Sequence, residues 1–243
     1  MTTPDKLRLD EALMQRGLYT SRARARDAVL RGTVLVNGVT GRKPAQMVAE
    51  KDVLTADDGA QHYVSRAALK LIHALDHFKF NAKGARCLDL GASSGGFTQV
   101  LLDRGATQVI AIEVGHSQMV LSDERIILHE GVNARDLSRE YVPEDVSGLT
   151  CDVSFIPLHI ALDASLDLVA EGCWLVALLK PQFEVGRGGL SRGGIVRDED
   201  AKAKACADVA AYVQRKGWRV LGVIASPIDG GDGNEEYLLG AVK

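Results

Sequence analysis

Read for spacing alone, the chain changes rhythm near residue 60. Before it, apolar positions come in short sets: Leu7, Ala12 and Leu13 at helical intervals, then Ala23, Ala28, Val29 and Leu30, then an unbroken Val34-Leu-Val. The first set predicts a helix over residues 6–16, with Asp10 and Glu11 early, where acids suit the helix dipole, and a stop at Gly17. A second helix over residues 22–31 is capped by Ser21 and ended by Gly32. Residues 33–39 read as a strand and turn, with Asn37-Gly38 supplying the pair of positive φ angles, and Asp52-Val-Leu as another short strand. Residues 57–61 form a polar, acidic linker. From a Ser65 cap a further helix presents Ala68, Leu69, Leu71, Ile72, Leu75 and Phe78 on one broad apolar face. Lys70 sits inside that face, although a lone helical lysine ordinarily turns to solvent.

From Arg86 onward strands and helices alternate. Strands are predicted at 86–90, 108–113, 126–130, 151–155, 173–179, 218–225 and 236–242, which specifies an α/β doubly wound sheet of parallel strands. The last two are joined by residues 226–235, too few for a crossover helix, so they should pair antiparallel. The expected fold is a Rossmann-like seven-stranded sheet of the methyltransferase kind, last strand antiparallel. A small α+β domain precedes it, with domains at 1–60 and 61–243.

The first strand of the sheet runs into Leu-Asp-Leu-Gly-Ala-Ser-Ser-Gly-Gly-Phe, residues 88–97. A backbone stripped of side chains at a strand-to-helix turn lets a nucleotide-like ligand lie against it. The spacing Gly-x-x-x-Gly-Gly is not the Gly-x-Gly-x-x-Gly of dinucleotide sites, and no Gly-Lys-Ser/Thr follows to make a P-loop. S-adenosylmethionine is the ligand that suits such a turn. Asp89, Gly91, Ala92, Ser93, Gly95, Gly96 and Phe97 are its candidate contacts. Glu113, 24 residues past Asp89 and at the end of the next apolar run, is placed to hold a ribose diol. Asn133 and Asp152 follow the third strand and open the fourth.

Charge and cysteine content change the picture only in part. The net charge of −3 conceals a split: residues 1–66 carry 11 Lys+Arg against 8 Asp+Glu, and the rest carry 18 against 24. A basic small unit ahead of an acidic large one suggests that the small unit meets a polyanion. Arg22, Arg24 and Arg26 read as one short arc on the second helix, with Arg31 beyond. The four cysteines are isolated and read as small hydrophobes in a reducing cytoplasm, with no metal site. No apolar run approaches the roughly 20 residues of a membrane span, and residues 1–10 hold no signal-peptide core.

In doubly wound sheets ligands lie at the carboxyl ends of the strands. There the chain places Asp152, in Asp-Val-Ser-Phe-Ile, and Lys180, which ends the apolar run Trp-Leu-Val-Ala-Leu-Leu and is followed at once by proline. Packing explains such a lysine poorly. Gln182 to Arg197, with five glycines and three arginines, reads as a mobile basic loop beside it. The order Arg-Leu-Asp, Ser-Arg and Gly-x-Val-x-Val-Asn-Gly over residues 6–55 resembles the S-four-type RNA-binding module. That likeness implies RNA-backbone contacts by Arg8, Arg22, Arg26 and Arg31. The segments Val-Ser-Arg-Ala-Ala-Leu-Lys-Leu, Leu-Asp-Leu-Gly-Ala-Ser-Ser-Gly-Gly-Phe-Thr, Lys-Pro-Gln-Phe-Glu, Gly-Gly-Ile-Val-Arg-Asp and Gly-Asn-x-Glu-Tyr resemble the hemolysin A (TlyA) family. Its members are ribosomal RNA ribose 2′-O-methyltransferases with an FtsJ-like catalytic domain.

The resemblance implies a Lys-Asp-Lys-Glu tetrad at Lys70, Asp152, Lys180 and Glu236. Glu235 adjoins Glu236 and leaves that last position ambiguous. It also implies S-adenosylmethionine as methyl donor and ribosomal RNA or ribosomal subunits as partner, with cytidines as targets. A ribose hydroxyl is a poor nucleophile until deprotonated, and a lysine, with a reference pKa of about 10.4, must give up its proton to act as the base. The competing reading is a non-catalytic RNA-binding or ribosome-assembly factor on the same fold.

Overall fold

A computed structural model describes residues 6–243, so the amino-terminal stretch read as lacking a signal-peptide core falls, for residues 1–5, outside the described residues. The chain divides into one unit that ends at His62 and another that runs from Tyr63 to Lys243.

The first unit contains β1 (Lys6–Arg8), α1 (Leu9–Gln15), α2 (Arg22–Leu30), β2 (Val34–Val36), β3 (Val39–Thr40), β4 (Met47–Ala49) and β5 (Leu54–Ala56). The first helix starts three residues later than its spacing predicts, because Lys6–Arg8 pair antiparallel with Met47–Ala49. A partner so distant in sequence leaves no local signal. The Ser21 cap forms, its hydroxyl accepting from the Arg24 amide at 3.3 Å. So does the turn after β2, with φ of 52° at Asn37 and 81° at Gly38. The strand expected at Asp52 begins at Leu54, since the Asp52 carboxylate closes the preceding loop by accepting from the Ala49 amide and the Asn37 side chain. Leu9, Leu13, Ala25, Ala28, Val29 and Val34 form the core. Ala23 and Leu30, expected there, are exposed, because the buried stripe of α2 runs through 25, 28 and 29. Nor is the acidic linker fully solvated. Asp58 is buried and accepts from both Nη atoms of Arg31 (2.7 and 2.9 Å), the Tyr19 hydroxyl (3.0 Å) and the Ala60 amide (2.9 Å).

The second unit is built on β6 (Arg86–Leu90), β7 (Gln108–Glu113), β8 (Ile126–Glu130), β9 (Gly148–Cys151), β10 (Trp174–Leu179), β11 (Arg219–Ala225) and β12 (Tyr237–Val242). They lie in the order β11-β12-β10-β9-β6-β7-β8. Neighbours are parallel except that β12 runs antiparallel to both β10 and β11, between which it inserts. The predicted fourth strand is corrected: it ends at Cys151, and Asp152 follows it rather than opening it. The ladder to β6 stops where Leu90 faces Cys151, because the partner strand turns away at Gly91.

Helices α3 (Ala68–Phe78) and α4 (Gly96–Asp103) cover one face of the sheet. On the other lie α5 (Leu158–Ala161), α6 (Asp163–Leu168) and α8 (Glu199–Arg215), with a short α7 (Pro181–Glu184) leading from β10. The two-residue strand period sorts the core: Cys87, Val109, Val176, Leu178 and Leu238 join the α3/α4 side, whereas Leu88, Ile110, Leu149, Leu175 and Leu179 join the other. Ser65 does not cap α3 directly. Its carbonyl accepts from Ala68 and its hydroxyl from Ala67, closing the turn that leads into the helix.

Asp89 is an acid set within this apolar packing. It is 0% exposed, and its two oxygens accept from the hydroxyls of Thr98 on α4 and Thr150 on β9, each at 2.7 Å. Burial pushes its carboxyl up to about 6 despite these bonds. The unfolded chain then releases this proton near pH 4 and the folded chain only near 6, so stability falls as pH rises through that window. Asp89→Asn removes the dependence. Urea unfolding at pH 4 and 7.5 should show the gap between variant and parent moving by about 2–3 kcal/mol in the variant's favour at the higher pH. A gap that does not move would mean that Asp89 ionises alike in both states.

Candidate active site

The glycine turn after β6 is shaped by backbone that side chains would block. Gly91 has φ +78°, its amide donates to the Ile112 carbonyl, and a Cβ there would stand 2.4 Å from the Asp152 carbonyl oxygen. Gly95, at φ +99°, precedes α4 and turns its first amides towards the carboxyl ends of the strands. Ser93 holds φ +47°, a left-handed conformation that glycines flank on both sides. Its amide donates to Glu113 Oε2 at 2.8 Å, while the Gly115 amide donates to Oε1 at 2.7 Å. Glu113 is thus fixed by two backbone amides, one from the loop after β6 and one from its own. A carboxylate has about four acceptor positions, so two remain for a vicinal diol.

These residues fit an adenosyl ligand: a glycine turn, a helix start and a pinned carboxylate stand at adjacent strand ends, with the side chains of Met119 and Leu121 lying over Gly95. Two of the expected contacts do not belong to that surface. Phe97 is 3% exposed and packs in the α3/α4 layer, because it lies on the inward face of α4. Asp89 is sealed beneath the turn, where it ties β6 to α4 and β9. Ala92 is buried within the turn, and Asn133 caps a short turn by accepting from the Arg135 amide at 3.2 Å.

Beside the turn, four charged side chains, one on α3 and three next to the ends of β9, β10 and β12, converge as two ion pairs. Lys70 on α3, 5% exposed, is bonded to Glu236, which precedes β12 and is also 5% exposed. The lysine expected to be solvent-facing is therefore interior. Lys180, at the end of β10, meets Asp152 Oδ1 at 2.6 Å and donates to Ser154 Oγ at 2.9 Å. The pairs feel each other. Burial raises the Glu236 carboxyl, Lys70 and then Lys180 pull it back, and Asp152 pushes it up again. Glu235 points elsewhere: it is exposed and pairs with Lys202 of α8 at 2.7 Å. Adjacent residues entering a strand face opposite sides, so geometry separates the two glutamates that sequence left ambiguous.

Sequence reading passed over several neighbours. Phe155 follows Ser154 with φ +67° and is 90% exposed, its ring 5.2 Å from that of Phe183. A non-glycine residue held in that region costs on the order of 1–3 kcal/mol, and such strain gathers at functional sites. Neither exposure nor φ is visible in a sequence. Asn234, 1% exposed, ties the far end of the glycine-rich loop: its Oδ1 accepts from Val196, and its Nδ2 donates to Gly194 and Asp232. The acidic stretch before β12 is ordered by these bonds. Burial pushes Asp232 up, but the Asn234 bonds and the charge of Lys180 leave its carboxyl below the usual value. Among the described residues no group of three or more His, Cys, Asp or Glu is placed to hold a metal ion.

In the first unit the four expected RNA contacts separate. Arg8, Arg22 and Arg26 keep exposed side chains, the last two one turn apart on α2. Arg31 is committed inward, its guanidinium bonded to Asp27 and Asp58, and leaves the set. Arg24 does not share the arc of Arg22 and Arg26, because two residues advance a helix by about 200°; it bonds the carbonyls of Ala60 and Gln61 instead.

Comparison with known proteins matches residues 63–243 to the FtsJ-like methyltransferases and residues 7–54 to the S4 domain. The chain is 42% identical over 238 residues to the 16S/23S rRNA (cytidine-2′-O)-methyltransferase TlyA of Mycobacterium tuberculosis, a match spanning 96% of this chain and 89% of that protein. It is 38% identical to hemolysin A of Brachyspira hyodysenteriae, over 96% and 98% of the two chains. A solved structure from Streptococcus thermophilus, described as a hemolysin, matches with a TM-score of 0.75 at 36% identity and covers 99% of this chain and 90% of its own. No helix among the described residues is long and apolar enough to cross a membrane. With the catalytic-domain family matched over residues 63–243, the front module over residues 7–54 and a 42% identical relative spanning 96% of the chain, this protein belongs to the FtsJ-like methyltransferase family and, within it, to the TlyA family.

Proposed function

We propose that the chain methylates the ribose 2′-hydroxyl of cytidines in ribosomal RNA, with S-adenosylmethionine as donor and Lys180 facing the reacting hydroxyl. The observation that carries this reading is the pairing of Lys180 with Asp152 and Ser154 beside the buried Lys70–Glu236 pair. A non-catalytic assembly factor has no need to keep two lysines and two carboxylates in one pocket.

The donor, when bound, supplies an electrophilic methyl group on a sulfonium. Gly91, Ser93, Gly95 and Glu113 are the residues suited to hold it. Everything else falls to the chain's own side chains. Lys180 Nζ is tetrahedral and has two partners, so one direction is left for the substrate. If the amine is neutral, its two N–H groups serve Asp152 and Ser154, and its lone pair accepts the 2′-hydroxyl proton. Lys70 and Glu236 keep the wall beside it polar, paired and dry. Phe155, exposed next to Ser154, offers a ring on which a base can stack, worth about 1–3 kcal/mol per base.

Methyl transfer to ribosomal RNA from labelled donor tests these roles. Lys180→Ala should bind both substrates yet lose at least about 100-fold in turnover, the usual contribution of a positioned base. Lys180→Arg should fare no better, since arginine does not release its proton. Near-normal turnover in the arginine variant would leave Lys180 as a fixed charge and remove the base.

Phe155→Ala should weaken RNA binding about tenfold or more while leaving donor affinity unchanged. Phe155→Trp should retain the parent affinity. Equal RNA affinity in all three chains would mean that no base rests on this ring.

A further inference from the structure

We propose that Asp10 is the positioning residue of the RNA-contacting face, its one buried carboxylate holding the guanidinium groups of Arg8 and Arg22 as a preformed fork for an RNA phosphate. The inference rests on the reading that these arginines meet RNA, and it assigns an essential part in that contact to an acid.

Asp10 is 2% exposed, whereas the two arginines that reach it are 40% and 51% exposed. Arg8 lies side-on against it, with Nε on Oδ1 at 3.1 Å and Nη2 on Oδ2 at 3.0 Å. Arg22, from the start of α2, brings Nε to Oδ2 at 3.2 Å. Two elements, β1 and α2, thereby meet on a single carboxylate set in the first turn of α1. A guanidinium has five N–H groups. These bonds leave Nη1 of Arg8 and both Nη atoms of Arg22 with donors to offer, on side chains still in water. Arg26, one turn further along α2, adds a third exposed cation.

By Coulomb's law alone an acid beside a phosphate site is a liability. Two effects offset it. The carboxylate screens Arg8 from Arg22, so two cations can stand together before RNA arrives. It also orders two long side chains in advance, so a phosphate need not immobilise them on binding. An acid acting only as a favourable charge in the first helical turn would need neither arginine. Planar, bidentate recognition is also the property that distinguishes arginine from lysine.

The test is binding of the full-length chain to purified ribosomal RNA over a range of salt concentrations, with thermal unfolding followed in parallel. Asp10→Asn removes a negative charge, so electrostatics alone demands tighter binding. The fork demands binding about tenfold weaker, with a log–log salt slope shallower by about one. Affinity that is equal or higher at every salt concentration overturns the proposal. If Asp10→Asn unfolds the first unit, the double variant Arg8→Lys/Arg22→Lys decides: it keeps both charges but not the fork, and should show the same loss, whereas full affinity overturns the proposal. Arg8→Ala/Arg22→Ala separates the layers of the inference. Undiminished RNA binding there would remove the underlying reading. Loss there without loss in Asp10→Asn would remove only the fork.

Discussion

Two lysines and two carboxylates converge as ion pairs, one of them buried and the other half-buried, and much of the second unit follows from the need to keep them paired. Lys70 and Glu236 are nearly inaccessible, so neither can stand there without the other. Removing one partner of such a buried pair costs about 3–5 kcal/mol, because the remaining charge is stranded. The pair joins α3, near the start of the unit, to the residue that enters the last strand. Lys180 and Asp152 make the parallel connection between the ends of β10 and β9. The sheet order places β12, β10 and β9 side by side and α3 packs across the face of β10 and β12, so residues from distant parts of the chain meet. Topology and electrostatics thus enforce one another.

The neighbouring glycine turn, the proposed donor site, obeys a different constraint, that of space. Gly91 leaves room for the Asp152 carbonyl, and the two loop amides on Glu113 fix a carboxylate at the edge of the turn. Beneath it Asp89 is held by two threonine hydroxyls, which joins the turn's strand to α4 and β9. The first unit works by a third principle, in which cations are either spent on the fold or displayed. Arg31 and Arg24 are spent. Arg8, Arg22 and Arg26 are displayed, the first two on a shared acid.

The sheet was legible in the sequence because its strands are short apolar runs and glycine marks the turns after β6, β7 and β8; the fourth strand, with no such mark after it, begins at Gly148 rather than Cys151. The reversed last strand followed from the length of one loop. The pairing of β1 with β4 was not legible, since nothing local distinguishes Lys6–Arg8 from the helix it precedes. The charged tetrad could be named by likeness, but the burial of Lys70 could not be read from its helix, where a lone lysine ordinarily turns outward. Phe155 stayed hidden for a simpler reason: a positive φ and an exposed ring are properties of the folded backbone. The fate of Arg31 likewise depended on Asp58, which looked like linker until the chain folded it inward.

The paired lysines and carboxylates are proposed to serve the movement of a methyl group onto a ribose oxygen. The most direct test is to locate the label after reaction of the full chain with ribosomal RNA and methyl-labelled donor. A 2′-O-methyl group removes the hydroxyl that attacks the adjoining phosphodiester, so alkaline hydrolysis leaves the labelled nucleotide in an alkali-resistant dinucleotide. Label is expected in resistant cytidine-containing dinucleotides, and at least about 100-fold less of it when Lys180 is replaced by alanine. Label released as an alkali-sensitive, base-methylated mononucleotide would contradict it.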